Sequence, residues 1–593
     1  MNSIYKTSKL IFSLLLCVIF LNSINAQTII SEKSAQALDL TIIKNKTIIS
    51  TTTSLNDSNG IYLGSKGVFV ISKGVKLTID TKLNVFQNRQ IFFGEGTVLF
   101  NAGSVHQIDV TWFGAKPNDQ ISDVIPIQKA INTAIMSPGV SVVYFPPGEY
   151  TIDSPLLAMR KMKRGKDHDF FNLTLRGHQF AYNNPRGKKG GVSVLKANNE
   201  IPFVLGIQAA RGVHVENMVF DGYIPSKMSK EDLVHIESNK LYKQDRFAPL
   251  SAIVIDPFSL KKPIKGGYNG MDEFYINKRS SSRIHIEGSV IQNFPTGIAI
   301  SPNGKTQQGD SVAITFTRFN NLINGIVICQ AQSRNIVVDN CDFSLMKFVF
   351  NTDDFGEQQG VLPEVNNLKV SGGVAWLYKA NGNIAYGHFR NVYTEALYGI
   401  GYSVINKQPL NFEGCVFKFR SMTDPIKGNF NPCILRADNA SFTGCTFLVG
   451  GGKNNVEPLL MDVKKATFVN CYFDTYPINI GGSLKNKNES TYINSGLRKN
   501  KIATTSWKSI EFNENKVVVI EYDTSKKSFY FKNNFNFKKG EFIFGNLTIN
   551  KEPFKEKSIY TAIGKVLDVK NNFVYFKSKY LEKKKSLVEI ILN

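Results

Sequence analysis

The stretch Asp109–Ala134, DVTWFGAKPNDQISDVIPIQKAINTA, decides how the rest of the chain is read. It joins the aromatic pair Trp112-Phe113 to a Gly-Ala turn, an amide- and acid-rich cluster, and an amphipathic run. Asp123 suits a helix N-cap, Pro126 suits a first turn, and Ile127, Ala130, Ile131 and Ala134 share one face at helical spacing. No other segment carries a convincing helical period. The run leads into VSVVYFPPGEYTI, Val140–Ile152, which has the form of strand, turn and strand. The acids and glycine by themselves would suit a metal or phosphate site. Between an aromatic strand and a helix they suit a turn and a helix start.

Away from this helix the pattern is short apolar alternation bounded by Gly, Asn and Asp, as in VFVISKGVKLTID from Val68 and RQIFFGEGTVLF from Arg89. Related units recur: GVHVENMVFDG from Gly212, SRIHIEGSVIQNF from Ser282, RNIVVDNCDF from Arg334, PLNFEGCVFKF from Pro409, NASFTGCTFLVG from Asn439 and KATFVNCYFDT from Lys465. Each has alternating apolar residues, then Gly or Asn, then a small or sulfur-bearing residue. Met218, Ser289, Cys341, Cys415, Cys445 and Cys471 occupy that last slot. Their spacing fits coils of about 25 residues, with NNLKVSGGVAW and GHFRNVYTEAL as weaker units and one long insertion. Helix-free units of this length imply a parallel β-helix, with equivalent residues stacked at about 4.8 Å. The cysteines then form an inward ladder of small apolar thiols rather than a metal or redox site, since no CxxC or Cys/His zinc spacing occurs.

With the coils in view, WFGAKPND…SD…IQKAIN followed by VVYFPPGEYTI resembles the opening motif of the pectate lyase superfamily of right-handed β-helix proteins. Within it, the likeness is to the group related to family 28 glycoside hydrolases, also described as rhamnogalacturonase/epimerase-like. The resemblance implies that Trp112 to Ala115 are strand and turn, that the helix caps the coil stack, and that Tyr144 to Ile152 begin the first full coil. It specifies fold more than activity, because members include lyases, hydrolases, epimerases and viral tailspikes. Asn118 and Ser122 stand where members often carry Asp. Polygalacturonases carry NTD, paired-Asp, Gly-His-Gly and R-x-K motifs. Here FNTDDFGEQQG runs Asn351 to Asp354 together, and YGHFR supplies Gly387, His388 and Arg390 without a second glycine. The DPHD signature of alginate epimerases is absent.

The chain has 593 residues and a formal net charge of +23. Lys6 and Lys9, an apolar run and NSINA ending at Ala26 have the form of a signal peptide. Its removal takes two positive charges and no negative ones, lowering +23 to +21. No later run is long enough to span a membrane. An exported basic protein favours an acidic polysaccharide as partner. A Lys- and Asn-rich composition alone also raises the charge, and an exported chain without a recognition motif is not expected to bind nucleic acid. Residues 485–593 hold 22 Lys/Arg and 11 Asp/Glu, which together are net +11.

Three regions offer site chemistry. The insertion at about 222–281 holds Tyr242, Arg246 and Tyr275, residue types that contact sugars; the alternative is a solvated loop. Gln330, Gln332 and Arg334 alternate and would share one side of a strand, ready for a sugar hydroxyl or carboxylate; the alternative is an outward polar face. Asp353 and Asp354, with His388 and Arg390, are the candidate acid and base groups; the alternative is turn aspartates and a surface histidine. A lyase would need a carboxylate neutraliser, a base and an acid, whereas a hydrolase would need two carboxylates.

The expectation is therefore an all-β, right-handed parallel β-helix of the pectin lyase type with a short N-terminal capping helix and a small C-terminal β domain. Its parts are a signal peptide at 1–26, an N-terminal β region at 27–108, the β-helix at 109–484 and a basic C-terminal domain at 485–593. The expected function is a secreted enzyme cleaving an acidic polysaccharide by β-elimination, without cofactor or metal. The alternatives are a glycoside hydrolase and a non-catalytic glycan-binding or tailspike-like protein.

Overall fold

The computed structural model describes residues 32–497, apart from 87, 161–170, 184–190, 200, 225–249, 258–280, 302–309, 329–334, 353–362, 375, 381–386, 396, 398, 404–408, 420–432, 450–459, 475–477 and 480–488. Beyond these it describes six strands between Lys516 and Leu592 as backbone. The leader at 1–26 and Cys329 lie outside the described residues.

The chain is a right-handed parallel β-helix. Successive coils contribute to a fourteen-stranded sheet and an eighteen-stranded sheet, both parallel. Sheet 1, the fourteen-stranded one, runs from Ile108–Asp109 through Leu173–Gly177, Arg211–Glu216, Ser282–Glu287, Glu364–Asn366, Gly387–Arg390 and Leu410–Glu413 to the last coils. Sheet 2 holds two strand columns per coil, so most coils cross it twice. Alternation sends one face inward: in Gly387–Arg390, Phe389 is buried while His388 and Arg390 face out. One apolar core runs unbroken from Ile49 to Phe473. Within it Phe389, Phe412, Phe442 and Phe468 stack at 4.9–5.1 Å between centroids, the spacing set by the coil rise, and the exposed Tyr492 continues the column at 4.8 Å.

The corner between the sheets explains the repeat. Asn217, Gly288, Asn340, Asn367, Asn391, Gly414, Gly444, Asn470 and Asn494 take left-handed φ between +49° and +62°, which Gly and Asn adopt most readily. Asn391 donates to Asn367, and Asn367 to Asp339, in a side-chain ladder. The next residue turns inward. Cys415 donates its thiol to the carbonyls of Phe389 and Glu413, Cys445 to Phe412 and Thr443, and Cys471 to Phe442 and Val469. Ser289 and Thr317 make the same bond to the carbonyl two residues back. Cys341, Cys415, Cys445 and Cys471 are buried and free.

Four expectations of organisation are refined. The region 27–108 is itself a coil stack, smaller and three-faced: Thr41 pairs with Ile61 and Ile61 with Leu83, a period of about 20–22 residues. The helix Val124–Met136 is consequently not the end of the stack. One side bonds the small coils, with Phe100 N donating to Ser137 Oγ at 3.0 Å and Lys129 reaching the Gly94 carbonyl. On the other side the Gln128 amide both donates to and accepts from the Leu157 backbone at 2.8 Å. The insertion at 222–281 is two connections that bracket a sheet 2 strand, Ser251–Ile255. The coils also continue past residue 485, since Glu489–Ile493 and Gly496–Leu497 pair with the preceding coil. The basic tail then forms a closed six-stranded antiparallel barrel from Lys516 to Leu592.

The acids of the opening stretch serve this framework. Asp109 caps the short helical turn Val110–Phe113, accepting from Thr111 N and Oγ1 at 2.8 and 2.7 Å. Asp123 stands at the N-cap position without capping. Its carboxylate clips Lys116 N and Thr151 N, at 2.8 and 3.0 Å, tying turn to strand. Burial pushes both carboxyls up to about 6, against the hydrogen bonds that would lower them.

Candidate functional site

The corner slots locate the outward side chains of sheet 1, which sit two and four residues before each slot. Two before are Glu216, Glu287, Thr315, Asp339, Asn366, Arg390 and Glu413; four before are His214, His285, Ala313, Val337, Glu364, His388 and Asn411. Pairing stacks each set into a column about 4.8 Å per coil. Charged groups gather on these columns at two places.

The larger gathering surrounds Arg390. Glu364 is the register partner of His388, and Glu413 that of Arg390. Arg390 Nη1 lies 3.5 Å from Glu364 Oε1, and its Nε 3.4 Å from Glu413 Oε2. The same guanidinium faces the His388 ring, with Nε 3.2 Å from Nε2 and Nη2 3.3 Å from Nδ1. His388 Nε2 also approaches Glu413 Oε2 at 3.8 Å. The Glu364 and Glu413 side chains are 50% and 58% exposed and Arg390 44%, so all can meet a ligand. Nη1 and Nε are about 2.3 Å apart in a planar guanidinium, which holds the two carboxylate oxygens within about 9 Å of each other. Half-exposed ion pairs contribute roughly 0–1 kcal/mol each, so folding does not require this arrangement.

The second gathering lies nearer the opening coils. His214 and His285 meet edge to face at 5.5 Å between centroids. His285 Nε2 is 2.9 Å from Thr315 Oγ1 and 3.9 Å from Glu287. Arg176 pairs with Glu216. Burial and the His214 ring lower the His285 pKa, opposed by Glu287 and Glu216. Among the described residues, no three His, Cys, Asp or Glu side chains converge as metal ligands would.

Of the sequence candidates, His388 and Arg390 are brought together. Asp353, Asp354, Gln330, Gln332, Arg334, Tyr242, Arg246 and Tyr275 lie outside the described residues. Asn351, beside the paired aspartates, is a buried wall residue whose amide donates to Asn324 Oδ1 at 2.8 Å. Glu364 and Glu413 were missed, as were the His214 and His285 groups. The signal was available: HVE and HIE stand at equal offsets from Met218 and Ser289, and Glu413 stands two before Cys415.

These features define a right-handed parallel β-helix protein. Residues 107–228 match the family described as rhamnogalacturonase A/epimerase, pectate lyase-like. No curated protein matches. Among solved structures, the chain is similar to the catalytic unit of a GH87 α-1,3-glucanase from Streptomyces thermodiastaticus, at 11% identity over 68% of this chain and 72% of that one, TM-score 0.38. It is similar to a tailspike protein of Acinetobacter baumannii bacteriophage Fri1, a capsular polysaccharide depolymerase, at 10% identity over 82% and 85%, TM-score 0.33. It is also similar to the A-module of an Azotobacter vinelandii mannuronan C-5 epimerase, at 13% identity over 66% and 100%, TM-score 0.30.

Proposed function

We propose that this protein is an exported enzyme that cleaves a polysaccharide by hydrolysis, using the outer face of sheet 1 around Arg390. The observation that carries this reading is Arg390 between two exposed carboxylates, Glu364 and Glu413. Hydrolysis needs one carboxyl to protonate the leaving oxygen and another to attack or to activate water, and an upper bound of about 9 Å between the two glutamates' oxygens is compatible with the spacing of such pairs. Arg390 orients both carboxylates; the one it releases as the sugar enters takes a proton from solvent and delivers it to the leaving oxygen, while the other stays paired and activates water, whose proton it accepts. His388 braces the guanidinium.

This reverses the order of the two chemistries expected from sequence. β-Elimination on a uronate needs a cation free to neutralise the substrate carboxylate. Here the guanidinium already carries two glutamates, and the three together bear one net negative charge, which repels a uronate at this spot. The positive charge that would attract an acidic polymer is concentrated instead at 485–593. A closed barrel has no free strand edge to lend to the last coil.

Export rests on the leader sequence, and among the described residues no helix is long and apolar enough to cross a membrane. The test is digestion of pectic, alginate, glycosaminoglycan and neutral glucan polymers. New reducing ends without an unsaturated, ultraviolet-absorbing product support hydrolysis. An unsaturated product assigns elimination and overturns the reading. Binding without turnover on every polymer identifies a non-catalytic protein.

A further inference from the structure

One corner breaks the Asn/Gly rule. Phe316 occupies the left-handed position in the coil Asp310–Ile328, at φ +45°, where the other nine corners use Asn or Gly. A bulky residue there costs on the order of 1–2 kcal/mol. Core burial does not offset this, because Phe316 is 41% exposed. Its ring lies 6.3 Å from that of Phe180, itself 39% exposed. Phe180 rests on the bare backbone of Gly288, where an added Cβ would come within 2.6 Å of the ring. Tyr182 follows, 6.0 Å from Phe180, with the Arg318 guanidinium 4.8 Å above its ring and Arg318 paired to Asp342 at 3.1 Å.

We propose that Phe316 and Phe180 form an aromatic subsite that stacks the apolar face of one sugar ring, with Arg318 and Asp342 at its rim for the hydroxyls. This rests on the glycan-cleaving reading and extends it to a second point of contact. Two half-exposed rings offer on the order of 150 Å². That suits one sugar, and falls far short of the roughly 800 Å² per partner of a stable protein interface. The charged rim beside bare rings fits a ligand with an apolar face and polar edges. The coil of Phe316 stands two steps before that of Glu364 and three before that of His388. These steps are about 10 and 14 Å along the axis, so one glycan running along the coils reaches both places.

The test is Phe316→Asn in the full chain, with polygalacturonate, alginate, hyaluronan and dextran as probes. The expected result is an unchanged or raised melting temperature together with a roughly three- to tenfold weaker binding of the recognised polymer, the scale of one lost aromatic contact. KM rises and kcat holds, and Phe316→Trp restores binding. Unchanged binding and KM in Phe316→Asn overturn the subsite while leaving the glycan reading standing. A lower melting temperature with unchanged binding makes Phe316 a packing residue and likewise overturns it. If the wild-type protein neither binds nor cleaves any of the four, both readings fall.

Discussion

Asp109 and Asp123 at the opening, and Glu364 and Glu413 at mid-stack, are all carboxylates on a coil scaffold, with opposite circumstances. The first pair is buried and bonded to backbone N–H groups. The second pair is half-exposed and, among the described residues, meets side chains, chiefly Arg390. A carboxylate committed to backbone donors fixes a turn and cannot leave it without exposing those donors as orphans. A carboxylate held by one exposed guanidinium can change partner when a ligand arrives. The first pair therefore belongs to folding, and the second is the pair we propose for chemistry.

The largest test of that division is Glu364→Gln or Glu413→Gln. Each should lower kcat by about 10²–10⁴ on whichever polymer is cleaved, while the melting temperature stays within a degree or two because exposed pairs stabilise little. Arg390→Ala should behave alike. Loss of folding with loss of activity would place these groups with Asp123 and erase the contrast. In the reverse direction, Asp123→Ala should destabilise by roughly 2–4 kcal/mol in denaturant, since it leaves Lys116 N and Thr151 N unsatisfied. Any protein that remains folded should retain kcat.

The pH response should separate the regions again. The folded pKa of Asp109 is about 6 and its ordinary value 3.8, so folding favours the protonated carboxyl. Below about pH 4 both states are protonated and the group imposes no burden. Between pH 4 and 6 the unfolded chain releases its proton while the folded one holds it, so stability falls as pH rises, and above 6 the loss is complete. The amount is on the order of 2–3 kcal/mol for so buried a group. Asp109→Asn should flatten that slope in melting experiments between pH 4 and 7. An unaltered slope would mean that Asp109 ionises as freely as in the unfolded chain.

The fold was legible because its grammar is local. Alternation, the Asn or Gly corner and the small residue after it recur at nearly every coil, and a stacked core requires nothing further. The three-faced coils at 41–100 were harder, because their shorter period lacks the corner slot and shows only strands. Half of the proposed site was legible: His388 and Arg390 stood out as reactive types, while Glu364 and Glu413 looked like surface residues. A glutamate gains meaning only from what stacks on it one coil away. That becomes visible once the chain is read in columns counted back from Met218, Ser289, Cys341 and Cys415.

The smallest expected effect concerns those slots. Ser289 and Thr317 already make the bond to the carbonyl two residues back that Cys445 makes, so the position requires a small inward donor rather than a thiol. Cys445→Ser should cost no more than about 1–2 kcal/mol: the hydrogen bond persists, and the loss is the apolar sulfur contact in a packed column. Cys445→Leu should cost more despite its apolar character, by overpacking a corner whose neighbours sit one coil above and below. The Cys415 thiol holds the Cys445 pKa up at about 12, with burial adding to the shift and the Cys471 thiol opposing it, so the native thiol should resist a thiolate-specific reagent until the coils open. Rapid native labelling, or a serine as damaging as leucine, would show that the ladder depends on sulfur itself and that these corners carry chemistry the rest of the stack lacks.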